Sequence, residues 1–550
     1  MGSHVLLAQT AITRSTRLET ALKFGENHQY SIQLSSGQSA EVLVKQQGID
    51  VIVELRSPAG TLLDSIDSPT GRNGDEVVEI IAGETGAFTI TVKPFDSDEP
   101  AGKYTLEVKA LRTVTETLAL LQTRSDIRKA ATEWLRPRSV RFSASGVIPA
   151  DTRIRQLDEL ARRVQVLGLG EATHGSREFN DMRFSVTRYL IENHGYRIVA
   201  IEASAGTLAL IERYVNGDVG RTPEIVRLME SEIWIGKRTR GELYEWARNW
   251  NQKHPRDRVR VVGVDPQGSG HPREILSGFI GRAYGEAALN RWSIFEKDLA
   301  AADEQTFVFG DSGVDTATRQ FLFDLLAMLE LDEPLLNIKF GKETVESAVR
   351  ATQMLAEFSD FNSNSGGAIR HSRDWYMASR VLRAMQERRT ATKIVYWAHN
   401  AHVVHPPGSI RTTGSVLRQT LGCKYAALAV TFGEGAFVAQ IPNDAEDRLD
   451  TSVLPSAVDE SVESVLKNLN TGALLATWLC ANDGANLSEP QWLKTPRLMH
   501  WVGGLYDAGS PASSAYRSFD LIRDFDGLVY FPRVKAEEVT KNPIIPARKR

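Results

Sequence analysis

Near residue 110 the hydrophobic period of this chain changes, and the two sides of that change cannot belong to one kind of layer. Before it, residues 28–110 hold little but short apolar/polar alternations: SIQL, AEVLVKQ, DVIVELR, EVVEII, AFTITVK and YTLEV. Turn clusters separate them (SSGQ, SPAG, SPTGRNGD, AGETG, DSDEPAGK), so each run is a strand of period two. Short strands at that spacing predict a β-sandwich or jelly roll within residues 1–110. No catalytic cluster falls inside it, which makes it an accessory domain.

Beyond the change, strands alternate with helices. A helical stretch over roughly 111–136 leads out, and ADTRIRQLDELARRV reads as an amphipathic helix. The strands VQVLGLG, RIVAI and VRVVGV then alternate with the helices DMRFSVTRYLIENHG, TLALIERYVNG and ELYEWARNWNQ. Such alternation predicts an α/β domain over 111–550, a mostly parallel sheet with helices on its faces. Residues 271–390 turn almost wholly helical, the pattern of a large inserted lobe. Strands return with KIVYWA, then AALAVTFGEGAFVAQI as a strand–turn–strand with its turn at Phe432, Gly433 and Gly435, and finally FDGLVYFPRV.

Charge and cysteine content exclude several classes. With 65 basic and 69 acidic residues and no basic stripe, nothing calls for nucleic acid or an anionic membrane. Arg548 to Arg550 read as a frayed tail. No apolar run reaches the ~18 residues of a membrane span. The two cysteines, Cys423 and Cys480, sit in apolar surroundings and are expected as buried free thiols, too few for a disulfide framework or a cysteine-rich zinc site. Met1 to His4 look like a cloning remnant, and VLLAQTA like the end of a trimmed leader. The protein is periplasmic or secreted if a leader was removed, and cytoplasmic otherwise. Oligomeric state is not legible.

Familiar catalytic signatures are missing. There is no G-x-S-x-G elbow, no H-E-x-x-H and no Walker A loop. Gly168-Leu169-Gly170 lacks the third glycine of a dinucleotide site. What the sequence does hold is a set of polar residues at the ends of apolar strands, the edge at which β/α sheets bind ligands. VQVLGLG ends in Glu171-Ala172-Thr173-His174-Gly175, RIVAI delivers Glu202, and VRVVGV delivers Asp265. KIVYWA delivers His399, with His402 in the turn after it. Each alone suits an N-cap, a salt bridge or a satisfied core histidine. Three histidines and three carboxylates together point to a site.

These residues carry a resemblance. LGEATHG, Arg183 nine positions after His174, IEAS, WAHNAHV and the late FDGLVYF resemble the erythromycin esterase family over roughly residues 140–540. The sandwich strands opened by Gly86-Ala87-Phe88 and Gly102-Lys103-Tyr104 resemble the bacterial pre-peptidase C-terminal domain, an accessory module of secreted enzymes. The first resemblance implies an α/β domain with a mobile helical part over a deep cleft, and hydrolysis of an ester, in the type members a macrolide lactone. It implies His174 as the general base on water, oriented by Glu171; imidazole suits that task near neutral pH. Arg183 would hold a carboxylate or stabilise developing charge, Glu202 would position the water or balance Arg183, and His399 and His402 would polarise the carbonyl from the opposite wall.

Asp265 and Trp234 are further candidate substrate contacts. Trp234, Tyr244, Trp246 and Trp250 also fall near helical spacing, as core residues do. Arg373 and Asp374, just before a helix, suit either a supporting role or a simple capping pair. No cofactor is expected. A divalent metal on the same His, Glu and Asp residues is the rival chemistry, with the pair His399/His402 at ligand-like spacing. A metal- or haem-binding protein of the same fold is the non-enzymatic alternative. The added sandwich departs from the single-domain family pattern and leaves another natural product or a polysaccharide open as substrate.

Overall fold

The computed structural model describes residues 9–66, 72–95, 99–141, 143–149, 152–231, 237–305, 313–362, 372–386, 392–409, 411–441, 449–454, 457–458, 460–469, 472–478, 489–507 and 515–538. The first domain is all-β. Four strands pair in the order Arg17–Leu22, Gly102–Arg112, Ser39–Gln47, Asn73–Ile81, and a five-stranded sheet packs opposite them. The alternation seen in the sequence becomes burial: Ala40, Val42 and Val44 face inward, and between the sheets they meet Val53, Ile90 and Leu106. Helix Val114–Leu135 leads out, its start fixed by a capping box between Thr113 and Glu116.

The second domain is built on a nine-stranded sheet. Its heart is parallel: Val166–Leu169 lies between Lys393–Trp397 and Tyr425–Gln440, with Tyr196–Ser204 and then Arg260–Asp265 beyond the former and Gly527–Val534 beyond the latter. Antiparallel strands complete the other edge. Central strands covered on both faces need apolar residues at every position, and Val166–Leu169 and Ile394–Trp397 are buried throughout. Mixed α/β with an all-β domain in front is the architecture expected.

Three expectations change. The segment 425–440 is one strand and not a hairpin. Its first half pairs with Gly527–Val534 in parallel, its second with Leu449–Leu454 antiparallel. Gly433 and Gly435 serve close packing, since a Cβ on either would meet the backbone of Pro532 or Val534. The helical stretch 271–390 divides. Helices Gly270–Tyr284, Glu286–Gln305, Thr316–Phe340 and Lys342–Asn362 share a core of their own, whereas Met377, Ala378 and Val381 of Arg373–Gln386 pack under the sheet. Cys423 is disulfide-bonded and not a free thiol; Cys480, the other cysteine of the chain, lies outside the described residues.

Candidate active site

Parallel strands that stop together put the residues after them on one edge. Here Leu169 pairs with Trp397 and Ile201 with the same tryptophan, so Glu171, Glu202 and His399 emerge side by side. The Glu171 turn is drawn down between neighbours. Its carbonyl accepts the Asn400 N–H at 2.9 Å, and a Cβ on Gly175 would collide with the Val438 backbone. Asn400, buried and overlooked in the sequence, bonds both the N–H (3.1 Å) and the carbonyl (2.9 Å) of Val430 and so locks the second histidine segment to the sheet.

His174 and Glu171 form the first half of the site. Glu171 Oε1 lies 2.8 Å from His174 Nδ1, and its Oε2 is 2.8 Å from Arg183 Nη2. A carboxylate only accepts, so Nδ1 carries the proton and Nε2 is left as the basic nitrogen. Burial works against the charge on Glu171, but Arg183 and then His174 override it and hold the carboxyl below its ordinary range. Arg183 does not face a cleft: it is 1% exposed, donates to Asn180 at 2.6 Å and lies against the Trp397 ring. The His174 side chain keeps 16% of its surface open, against 3% for Glu171.

The second half is more heavily charged. Arg373 donates through Nη2 to Glu202 Oε1 (2.8 Å) and Asp265 Oδ2 (2.5 Å), and through Nε to Asp265. His402 Nδ1 is 2.8 Å from Asp374 Oδ1, and its Nε2 is 3.2 Å from Glu202 Oε1. Asp374 also accepts the N–H and hydroxyl of Thr413. Burial disfavours charge on the His402 ring, yet Asp374 and Glu202 together raise it to about 10. Its Nε2 also approaches Arg373 Nη1 at 3.1 Å. With the ring charged that is a like-charge contact, sustained by the three carboxylates around the pair.

His399 stands between the halves, its ring centroid 5.2 Å from that of His174. Nδ1 accepts the Ala401 N–H at 3.1 Å as a helix cap, so Nε2 is the donor to the Val502 carbonyl at 3.2 Å. Burial, and His174 after it, push this imidazole down to about 4, which keeps it neutral.

Glu171, His174, Arg183, Glu202, His399 and His402 thus gather at one place, with Asp265 tucked behind Arg373. Trp234 lies outside the described residues. Tyr244 is buried in the core, and Trp246 and Trp250 pack against it. Arg373 and Asp374 turn out to be central. Their signal was a charged pair before a helix, indistinguishable on its own from a cap. Among the described residues no group of three or more His, Cys, Asp or Glu side chains is arranged to hold a metal ion.

The erythromycin esterase family model matches residues 191–534, well over half of the chain. The protein belongs to the erythromycin esterase family. That match begins downstream of Glu171, His174 and Arg183, so their membership in the site rests on geometry. Two Escherichia coli relatives agree. Erythromycin esterase type II is 24% identical over 338 residues, 56% of this chain and 79% of that protein. Erythromycin esterase type I is 23% identical over 272 residues, 46% of this chain and 65% of that protein. A solved structure of a mutant of the erythromycin esterase EreC in its open conformation aligns with 74% of this chain and 99% of its own, at 19% identity and a TM-score of 0.54. Membership of this esterase family supports a hydrolase with a small-molecule substrate. Among the described residues no helix is long and apolar enough to cross a membrane.

Proposed function

We propose that this protein opens the lactone of an erythromycin-type macrolide with a water molecule activated by His174. The observation that carries the reading is the pairing of His174 Nδ1 with Glu171, at 2.8 Å, on an imidazole still open at the strand edge. That pairing fixes the ring and leaves Nε2 as its proton acceptor, the tautomer a general base needs. Water loses a proton to Nε2 as its oxygen attacks the acyl carbon. Collapse of the tetrahedral adduct breaks the ring C–O bond, and the His174 proton passes to the departing alkoxide. The product is a ring-opened hydroxy acid, heavier by one water.

Charge balance favours the step. Glu171, Glu202, Asp265 and Asp374 face Arg183, Arg373 and a charged His402, which leaves one negative charge in excess. Proton transfer to His174 leaves the total unchanged but separates a new pair of charges, the imidazolium beside Glu171 and the oxyanion on the adduct, and the site holds an opposite charge for each. The developing oxyanion is met by Arg373 and His402, both partly open. Arg183 acts through Glu171, and His399 through the backbone it ties.

The test is mass spectrometry of erythromycin incubated with the protein, with and without EDTA, beside His174→Ala. A gain of one water that survives EDTA and vanishes in the variant is expected. No mass change with active wild-type protein on other esters would overturn the macrolide assignment, and loss of turnover with EDTA would overturn the metal-independent one.

A further inference from the structure

Helix Thr316–Phe340 is the outer helix of the lobe. Its inner face buries Leu322, Leu325, Leu329 and Leu336 against neighbouring lobe helices. The outer face should be polar on a helix that meets only water. It is not: Phe323, Met328, Leu331, Leu335 and Ile338 are all exposed, Leu331 by 81%, Leu335 by 71% and Ile338 by 86%. Steps of three and four residues set Met328, Leu331, Leu335 and Ile338 in one stripe along the helix, while Phe323, five residues before Met328, lies to one side of it.

The stripe is not a wall of the catalytic cleft. The helix starts near the site, where Arg319 pairs with Asp360, which in turn accepts from Tyr376 on the helix that carries Arg373. Ile338 lies roughly 30 Å further along the axis at 1.5 Å per residue. At that far end Glu343 pairs with Arg213, near the close of helix Ala205–Asn216 and away from the reactive strand edge.

We propose that this face docks a second copy of the same chain, the two helices antiparallel across a two-fold axis near Leu331. Two observations select that occupant. The four stripe side chains expose on the order of 500 Å² of apolar surface, toward the upper end of what an ordinary monomer shows. Doubled by symmetry they reach about 1,000 Å², the area a specific interface has to clear. The flanking charges then fix direction. With Leu331 on Leu331, Met328 meets Leu335, and exposed Asp324 near one end meets exposed Lys339 at the other. A parallel pair would set Asp324 on Asp324 and Lys339 on Lys339. An isologous contact of this kind closes on itself and forms no filament.

The experiment is sedimentation velocity of the full chain over about 1–100 µM, a range in which mass action carries a micromolar dimer through its midpoint. Wild-type protein should approach twice 60.9 kDa. Leu331→Glu, an exposed helix position with a good helix former, should stay monomeric with unchanged circular dichroism and unchanged turnover. Asp324→Lys should weaken the dimer by about tenfold, and Asp324→Lys with Lys339→Asp should restore it. A wild-type monomer throughout, or a Leu331→Glu dimer as tight as wild type, overturns self-association. A monomer that floats with phosphatidylglycerol vesicles, and loses that in Leu331→Glu, overturns it in favour of a lipid surface. An Asp324→Lys dimer of wild-type strength overturns the antiparallel arrangement.

Discussion

His399 and His402 sit at the two ends of a single short turn, the first buried and the second partly open, and they are held in opposite charge states. His399 faces the chain: one ring nitrogen caps the turn, the other donates to Val502, and the ring beside it is another histidine. Enclosure wins there and the ring stays neutral, at about 4. His402 faces carboxylates: Asp374 on one side and Glu202, which it shares with Arg373, on the other. Attraction wins there and the ring stays charged, up to about 10. Burial of itself therefore says nothing about a histidine's role; the identity of the groups buried with it decides.

His174 completes the contrast, because Glu171 is divided between it and Arg183. If the three histidines differ in this way, removing them should differ in kind. His174→Ala should lower kcat on the order of 1,000-fold, the usual share of a general base, with little change in Tm because the ring is partly open. Steady-state kinetics beside thermal unfolding separates the two effects. An equal kcat loss in His399→Asn would break the distinction between base and scaffold.

Asp374→Asn comes next in size. It removes the strongest attraction on His402, so the ring's ionisation should fall from about 10 toward the ordinary imidazole range. We expect kcat to drop about 100-fold, the lower end of transition-state electrostatic losses, and the alkaline limb of the pH–rate profile to move to lower pH. A rate loss with an unmoved limb would mean that Asp374 only supports Thr413. Nitrogen-15 shifts of the His402 ring report the same change without turnover.

Stability follows the same sign. His402 binds its proton more tightly folded than unfolded, so the stabilisation is complete below the unfolded value of about 6.5 and is lost as pH rises toward 10. His399 runs the other way: its folded value is lower, so its contribution is complete above about 6.5 and fades as pH falls toward 4. Wild-type Tm should therefore decline more steeply above pH 8 than that of His402→Gln. Parallel declines would show that another group carries the alkaline slope.

Much of this was legible in the sequence because strand ends are. VQVLGLG, RIVAI and KIVYWA each end in an unbroken apolar run, and a run that stops at a polar residue marks the sheet edge. Glu171, Glu202 and His399 are found that way. Arg373 and Asp374 are not, because they follow no strand; only the fold brings the start of that helix to His402. The exchange of partners along 425–440 was hidden for a similar reason. Glycines that permit a turn also permit close strand packing, and local sequence does not distinguish them. The charge states of His399 and His402 were beyond it altogether, since two histidines three residues apart carry no mark of which one will meet carboxylates.

The smallest effect tests the scaffold end of the turn. In His399→Asn the side-chain oxygen can still accept the Ala401 N–H, as asparagine is among the best helix caps. What is lost is the bond from Nε2 to the Val502 carbonyl, along with ring contacts to His174 and Trp501. A single buried hydrogen bond of that kind is worth about 1 kcal/mol, so urea unfolding should show a shift of that order with an unchanged m-value. Turnover should fall less than tenfold on the reading that His399 touches backbone and not substrate. His399→Ala, which leaves the cap unfilled as well, should cost about another 1 kcal/mol. If Asn and Ala prove equally mild in stability and equally severe in turnover, the ring itself is needed at the reacting atoms, and the neutral histidine has to be moved from scaffold to chemistry.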